Sequence, residues 1–247
     1  MSDAATPEKA SPENPTSEKT SGLELLSELA HEIRTPLTAM LGYTAFLKGD
    51  GEVELTPEQS KDIAQRLHAS TKRLMQITER ILDEAISGTT KVNKEQIDFT
   101  SFSDELIGTF EVDAKTRGIR LVHDIAENFP NLTTDPVLLY EMLSNLISNA
   151  LKFTPKGGMV KIKGEVDIHS KGLILVIQDT GQGIPATILM RMLQGVSTTT
   201  SSARSDQKGW GKGVQMVRQK AELLGGILEI ENAPQGGTVA CIRIPQP

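Results

Sequence analysis

This sequence of 247 residues has almost no cysteine, no long apolar run and no excess of positive charge. The single cysteine, Cys241, excludes an intrachain disulfide and suits a reducing, cytoplasmic compartment. It stands in "TVACIRI", whose alternation reads as a strand, so a small buried side chain is its expected role. The longest purely apolar stretch, "LILVI", falls far short of the ~20 residues that cross a bilayer. The N-terminus is polar and has no apolar central region, so neither a signal peptide nor a membrane segment is expected. Lys and Arg number 26 against 32 Asp and Glu, a formal net charge of −6. A surface of that sign is a poor match for phosphate backbones and argues against nucleic acid as the main partner. No internal repeat is visible. What remains, 38% hydrophobic and 23% charged, describes a globular chain with enough length for one large domain or two small ones.

Residues 1–21 are rich in Pro, Ser, Thr, Glu and Lys and offer almost nothing to bury, so they are expected to be disordered. From about Gly22 apolar residues take helical spacing. Leu26, Ile33, Met40 and Leu47 are seven apart, and Leu29, Ala30 and Leu37 fill the same face. After "KGDGEVELT", Pro57 opens a second helix with a stripe of Ile63, Leu67, Leu74, Ile77 and Ile81. Two antiparallel helices cannot enclose their own stripe, so residues 22–88 predict a hairpin that pairs with a second copy as a four-helix bundle. Beyond Gly88 the period changes. Six short strand candidates mix with helical stretches near 101–117, 136–153, 186–194 and 213–224, which predicts an α/β sandwich with a mixed sheet over 89–247.

Four constellations carry chemistry. In "LAHEIRTPLTAMLGY", His31 falls opposite the apolar seam, with Glu32 beside it and Thr35 one turn on. A His-Glu-x-x-His metal site fails because Thr35 takes the second histidine's place. Pro36 inside the helical pattern costs roughly 3 kcal/mol and predicts a kink there. In "DPVLLYEMLSNLISNALKFTP", Asp135 and Pro136 open a helix and Pro155 closes it. A polar stripe of Glu141, Asn145, Asn149 and Lys152 faces an apolar side. Asparagines are poor helix formers, while amide oxygens suit Mg²⁺ and a lysine suits phosphate. In "LILVIQDTGQGIP" a buried strand runs into Asp179, and Gly181 and Gly183 let backbone approach a ligand. "GQGIPA" matches a dinucleotide fingerprint, but the surrounding βαβ unit is missing and Asp179 is unexplained by it. In "SARSDQKGWGKGVQMV", Gly209, Gly211 and Gly213 precede a helix, as in a phosphate cradle, without the Gly-Lys-Ser/Thr of a P-loop.

Taken in order, these motifs resemble the sensor histidine kinases of two-component signalling, over roughly residues 22–245. His31-Glu32-x-x-Thr35-Pro36 is similar to their phospho-acceptor box, Asn145 and Asn149 to the asparagine box, and Asp179–Gly183 and Gly209–Gly213 to the two glycine boxes. The resemblance implies an ATP-binding domain of the kind shared with gyrase and its chaperone relatives, with ATP and Mg²⁺ as ligands. It implies that Asp179 accepts the adenine amino group, that Asn149 holds Mg²⁺, and that Asn145 and Lys152 lie near the phosphates. Residues 195–213 would form a lid. His31 would attack the γ-phosphate with Glu32 accepting its proton or fixing its tautomer, and Thr35 would orient a water in dephosphorylation. The implied partners are a second copy of the chain and a response-regulator receiver domain.

The chain departs from the family pattern in two places. "ATILMRMLQGVS" lacks the usual phenylalanine between the glycine boxes, and Trp210 and Lys212 stand where small or aliphatic residues are usual. A second reading follows, a dimeric phosphotransfer or scaffold protein with weak ATP turnover. With no sensor segment recognisable, the expectation is a catalytic core or a kinase that receives its signal through a partner.

Overall fold

The structure, a computed structural model, describes residues 15–48, 55–87, 89–125, 129–167, 172–193 and 212–246; side chains at 15–29, 31–32, 83–87, 193 and 212 lie outside that description. Helix α1 runs Pro15–Lys48 and α2 runs Pro57–Ser87. The expectation of disorder through residue 21 is thus corrected for 15–21, while residues 1–14 lie outside the described residues. Proline is tolerated in a first helical turn, and extending an existing helix costs far less than starting one, so a polar segment can continue a packed helix. Pro36 is buried, and α1 is assigned as helix on both sides of it.

The second region begins with β1 (Glu95–Ile97) and α3 (Phe99–Arg117), then β2 (Arg120–Ile125), β3 (Leu132–Thr134) and α4 (Pro136–Phe153). It continues with β4 (Met159–Val166), β5 (Leu173–Asp179), α5 (Ala186–Leu193), α6 (Lys212–Leu223), β6 (Ile227–Asn232) and β7 (Thr238–Ile244). Strands β1 and β3 pair with each other, and the other five form a sheet ordered β2-β4-β5-β7-β6. Only β2 and β4 run parallel; the remaining pairs are antiparallel. The expected mixed sheet is therefore present. Val160, Ile162, Leu175, Ile177, Ala240 and Ile242 turn to one face and are buried under the helices. The period of two along each strand delivers that face.

Helix α4 fills the centre of the core. Leu138, Leu139, Met142 and Ile147 are fully buried, on a helix whose first three turns are buried all round. Its start follows the reading from sequence: Asp135 is the N-cap, accepting from Val137 N and Leu138 N at 3.0 Å each, and Pro136 opens the first turn.

The hairpin packs on α3 and α4. Arg66, Arg73 and Arg80 stand seven residues apart, so they share one face of α2, and each meets a carboxylate of the second region. Arg66 reaches Glu111 at 3.4 Å, an exposed pair of small energetic value. Arg73 reaches Glu105 at 3.3 Å while its guanidinium lies over Tyr140 and Phe102, 4.6 and 5.6 Å from the ring centroids. Arg80 Nη2 lies 2.7 Å from both oxygens of Asp135, whose side chain is completely buried. Tyr43 donates to the Gly108 carbonyl, and Ile77 joins the core of the second region. Leu37, Leu41 and Leu47 on α1, with Met75 and Leu82 on α2, stay exposed.

Arg80→Ala leaves a buried carboxylate without its cation, a loss of about 3–5 kcal/mol in such pairs. Denaturant unfolding should show a midpoint lowered to match; a loss below about 1 kcal/mol, the range of exposed pairs, contradicts this description.

Candidate functional site

Strand β5 lies in the middle of the sheet, and its alternation buries Leu173, Leu175, Ile177 and Asp179 on the same face. Asp179 is thus the last position of an apolar row, a carboxylate where the pattern calls for hydrocarbon. It is 6% exposed and lines a cavity with Leu146, Asn149, Phe153, Met192, Val214 and Thr238. Gly181 N donates to its Oδ1 at 2.7 Å, and Thr238 adds hydrogen bonds from its backbone and side chain. Burial nonetheless pushes the Asp179 carboxyl above the ordinary carboxylate range, against those hydrogen bonds. Among the described residues no cation pairs with it. What it offers the cavity is a desolvated acceptor.

The loop beyond Asp179 is shaped by two contacts. A Cβ on Gly237, which has φ +90, would stand 2.0 Å from the Asp179 carbonyl oxygen, so only glycine lets β7 begin this close. Asn232 clasps Ile184, accepting from its N–H at 2.7 Å and donating to its carbonyl at 2.8 Å, just past Gly183.

On the other wall, Glu141, Asn145 and Asn149 fall on one stripe of α4. This stripe does not face solvent. Glu141 and Asn145 are buried under α6, and Asn149 is half-buried at the cavity. Asn149 Nδ2 donates to Asn145 Oδ1 at 3.0 Å, which leaves the Asn149 oxygen as the amide atom for another partner. Gly213 lies so close that a Cβ there would sit 2.3 Å from Asn145 Oδ1. The first turn of α6 therefore abuts the asparagine pair.

The structure thus brings together Asn145, Asn149, Asp179, Gly181, Gly183 and Gly213. Lys152 is exposed, with Nζ 5.0 Å from the Phe153 ring centroid, and does not line the cavity. Gly209, Gly211, Trp210 and nearly all of the expected lid lie outside the described residues. His31 and Glu32 lie within α1, their side chains outside the description; Thr35, one turn on, is half-buried. Two contributors escaped sequence reasoning. Thr238 was signalled by "GGTV", a tight turn entering a strand, and Asn232 by an asparagine closing the strand before it. No group of three or more His, Cys, Asp or Glu side chains that could hold a metal occurs among the described residues. A single amide oxygen at the cavity, that of Asn149, is compatible with Mg²⁺, because that ion keeps waters and phosphate oxygens as ligands and needs no full protein cage.

Comparison with known proteins gives two family matches. Residues 23–89 match the His Kinase A (phospho-acceptor) domain, and residues 134–247 match the histidine kinase-, DNA gyrase B- and HSP90-like ATPase. The chain is 28% identical over 222 residues to an uncharacterised sensor-like histidine kinase of Rhizobium meliloti, covering 89% of this chain and 42% of that protein. It is 31% identical over 231 residues to the sensor protein GacS of Pseudomonas syringae pv. syringae, covering 91% of this chain and 25% of that one. The chain therefore spans less than half the length of these relatives. Among solved structures, full-length ShkA in complex with AMPPNP shares the fold at a TM-score of 0.55 and 21% identity, over 93% of this chain and 46% of that chain. A phospho-acceptor hairpin followed by this ATPase fold is the pairing that defines a kinase core, and the chain belongs to the sensor histidine kinases of two-component signalling.

Proposed function

We propose that the chain phosphorylates His31 with ATP and passes the phosphoryl group to an aspartate of a response-regulator receiver domain. The observation that carries this reading is the desolvated Asp179 carboxylate sharing one cavity with Asn149, whose amide donates to Asn145. Asp179 accepts a hydrogen bond from the adenine amino group. A desolvated carboxylate with acceptor capacity beyond Gly181 and Thr238 discriminates for a donor, since a base lacking one leaves that capacity unused. Asn149 offers its oxygen to Mg²⁺, which would neutralise phosphate charge during transfer. The first turn of α6 faces the same region with backbone N–H groups suited to phosphate oxygens.

A nitrogen of His31 attacks the γ-phosphorus as the bond to the ADP oxygen breaks, and Glu32 takes the imidazole proton or fixes the tautomer. Thr35, one turn along α1, then orients a water against the aspartyl phosphate of the receiver. The hairpin, residues 22–88, acts as a homodimer and residues 89–247 as the nucleotide-binding domain. Exposed Leu37, Leu41, Leu47, Met75 and Leu82 support the dimer, since a second hairpin would cover them. A reducing, cytoplasmic setting suits the one free cysteine.

Two variants test this reading. The raised carboxyl of Asp179 means the folded chain favours its protonated form, so its stabilising contribution is present below the unfolded-state pKa and lost as pH rises through the folded value. Asp179→Asn removes that titration. The variant should match the parent in acid and exceed it in thermal midpoint at neutral pH, while calorimetry shows Mg-ATP affinity lower by about tenfold or more. Parental Mg-ATP affinity, or a stability gap that does not widen toward neutral pH, contradicts the assignment. Thr35→Ala should keep autophosphorylation within about a few-fold and lose most phosphatase activity toward the phosphorylated receiver. Equal loss of both activities would assign Thr35 to the shape of α1, and unchanged phosphatase activity would remove its role.

A further inference from the structure

The nucleotide reading leaves one buried charged pair unexplained. Glu141 is 3% exposed in its side chain, in the middle of the apolar α4, and its carboxylate lies 2.8 Å from Lys220 Nζ, itself 15% exposed, on α6. A pair of this kind is a poor source of stability, because desolvating both charges offsets their attraction. Its other use is to fix register between packed elements.

Register matters at this interface. The remaining buried contacts of α6 are Val214, Val217 and Ala221, small apolar surfaces that tolerate sliding. A slip of α6 by one residue moves it about 1.5 Å along its axis. Gly213, seven positions before Lys220, is in close contact with Asn145, where a single methyl would already collide. Asn145 in turn holds the Asn149 amide at 3.0 Å. The same helix is tied from its other side, where Arg218 Nη1 donates to the Met192 carbonyl in the last turn of α5 at 2.9 Å. A displaced α6 would break this buried Glu141–Lys220 contact, so the pair penalises displacement from the observed register.

We infer that Lys220 is a positioning residue for nucleotide and metal binding: through Glu141 it locks α6 in the register that sets Gly213 against Asn145 and thereby aims the Asn149 oxygen. The inference rests on the nucleotide reading above. Neither Lys220 nor Glu141 lines the cavity, and neither touches the reacting groups.

Calorimetry on the full chain, titrated with ATP in Mg²⁺ and with ATP in EDTA, separates this from a merely structural role. Lys220→Met should lower Mg-ATP affinity by about tenfold or more, as loss of outer contacts at metal sites does, and change affinity in EDTA by about twofold at most. Lys220→Arg, which keeps the cation, should recover most of the Mg-ATP affinity. The double variant Glu141→Leu/Lys220→Leu removes both charges and guards against misfolding of the single one. It should unfold at or above the parental midpoint, as apolar replacements of buried pairs do, yet still bind Mg-ATP weakly. Parental Mg-ATP affinity in the stable double variant, or in Lys220→Met, overturns the inference alone. A parent chain that binds no Mg-ATP overturns the nucleotide reading and this inference with it.

Discussion

Asp135 is the point on which the two parts of the chain meet. Its buried carboxylate caps α4 through Val137 and Leu138, takes the Asn93 N–H at 2.8 Å, and receives Arg80 from the hairpin at 2.7 Å on both oxygens. Two amide donors on the helix side are a normal cap. A buried charge needs more, and the hairpin supplies it. The helix that presents Asn145 and Asn149 therefore begins at a residue paired with Arg80 of α2, the hairpin helix that follows the one carrying His31. Any motion of α2 relative to α4 must first separate a desolvated ion pair in which one guanidinium nitrogen reaches both carboxylate oxygens.

Helix α4 also explains why the site is narrow in its chemistry. Most of its side chains are hydrocarbon packed on sheet or helix, so the buried polar ones are conspicuous in cost and must be satisfied locally. Glu141 answers to Lys220, Asn145 to Asn149, and Asp179 across the cavity to Gly181 and Thr238. The groups left with unused capacity, the Asn149 oxygen and the Asp179 carboxylate, are the ones the nucleotide reading employs.

Much of this was legible in the chain. Asp135, Pro136 and Pro155 mark α4, found over Pro136–Phe153, because cap and proline chemistry are local. The strand alternation of "LILVIQD" and "TVACIRI" appears as β5 and β7 for the same reason. Strand β3 was not foreseen: "LTT" is too short to show a period, and it is made by pairing with β1. Ile77 reads as part of the hairpin's own stripe, yet it packs into the core of the second region, since periodicity reports a face and not its partner. The arginines at 66, 73 and 80 were not singled out from sequence, because their carboxylate partners Glu111, Glu105 and Asp135 lie far along the chain. Glu141 hides likewise, because its partner is on a distant helix.

The central claim is chemical, and one measurement bears on it directly. The chain is incubated with Mg²⁺ and ATP labelled at the γ-phosphate, the stability of the label is followed in acid and alkali, and the labelled peptide is mapped. The account predicts a phosphoramidate, lost in acid and stable in alkali, on the peptide containing His31 and absent from His31→Ala. Acid-stable label, label retained by His31→Ala, or no label from a chain that binds Mg-ATP would contradict it.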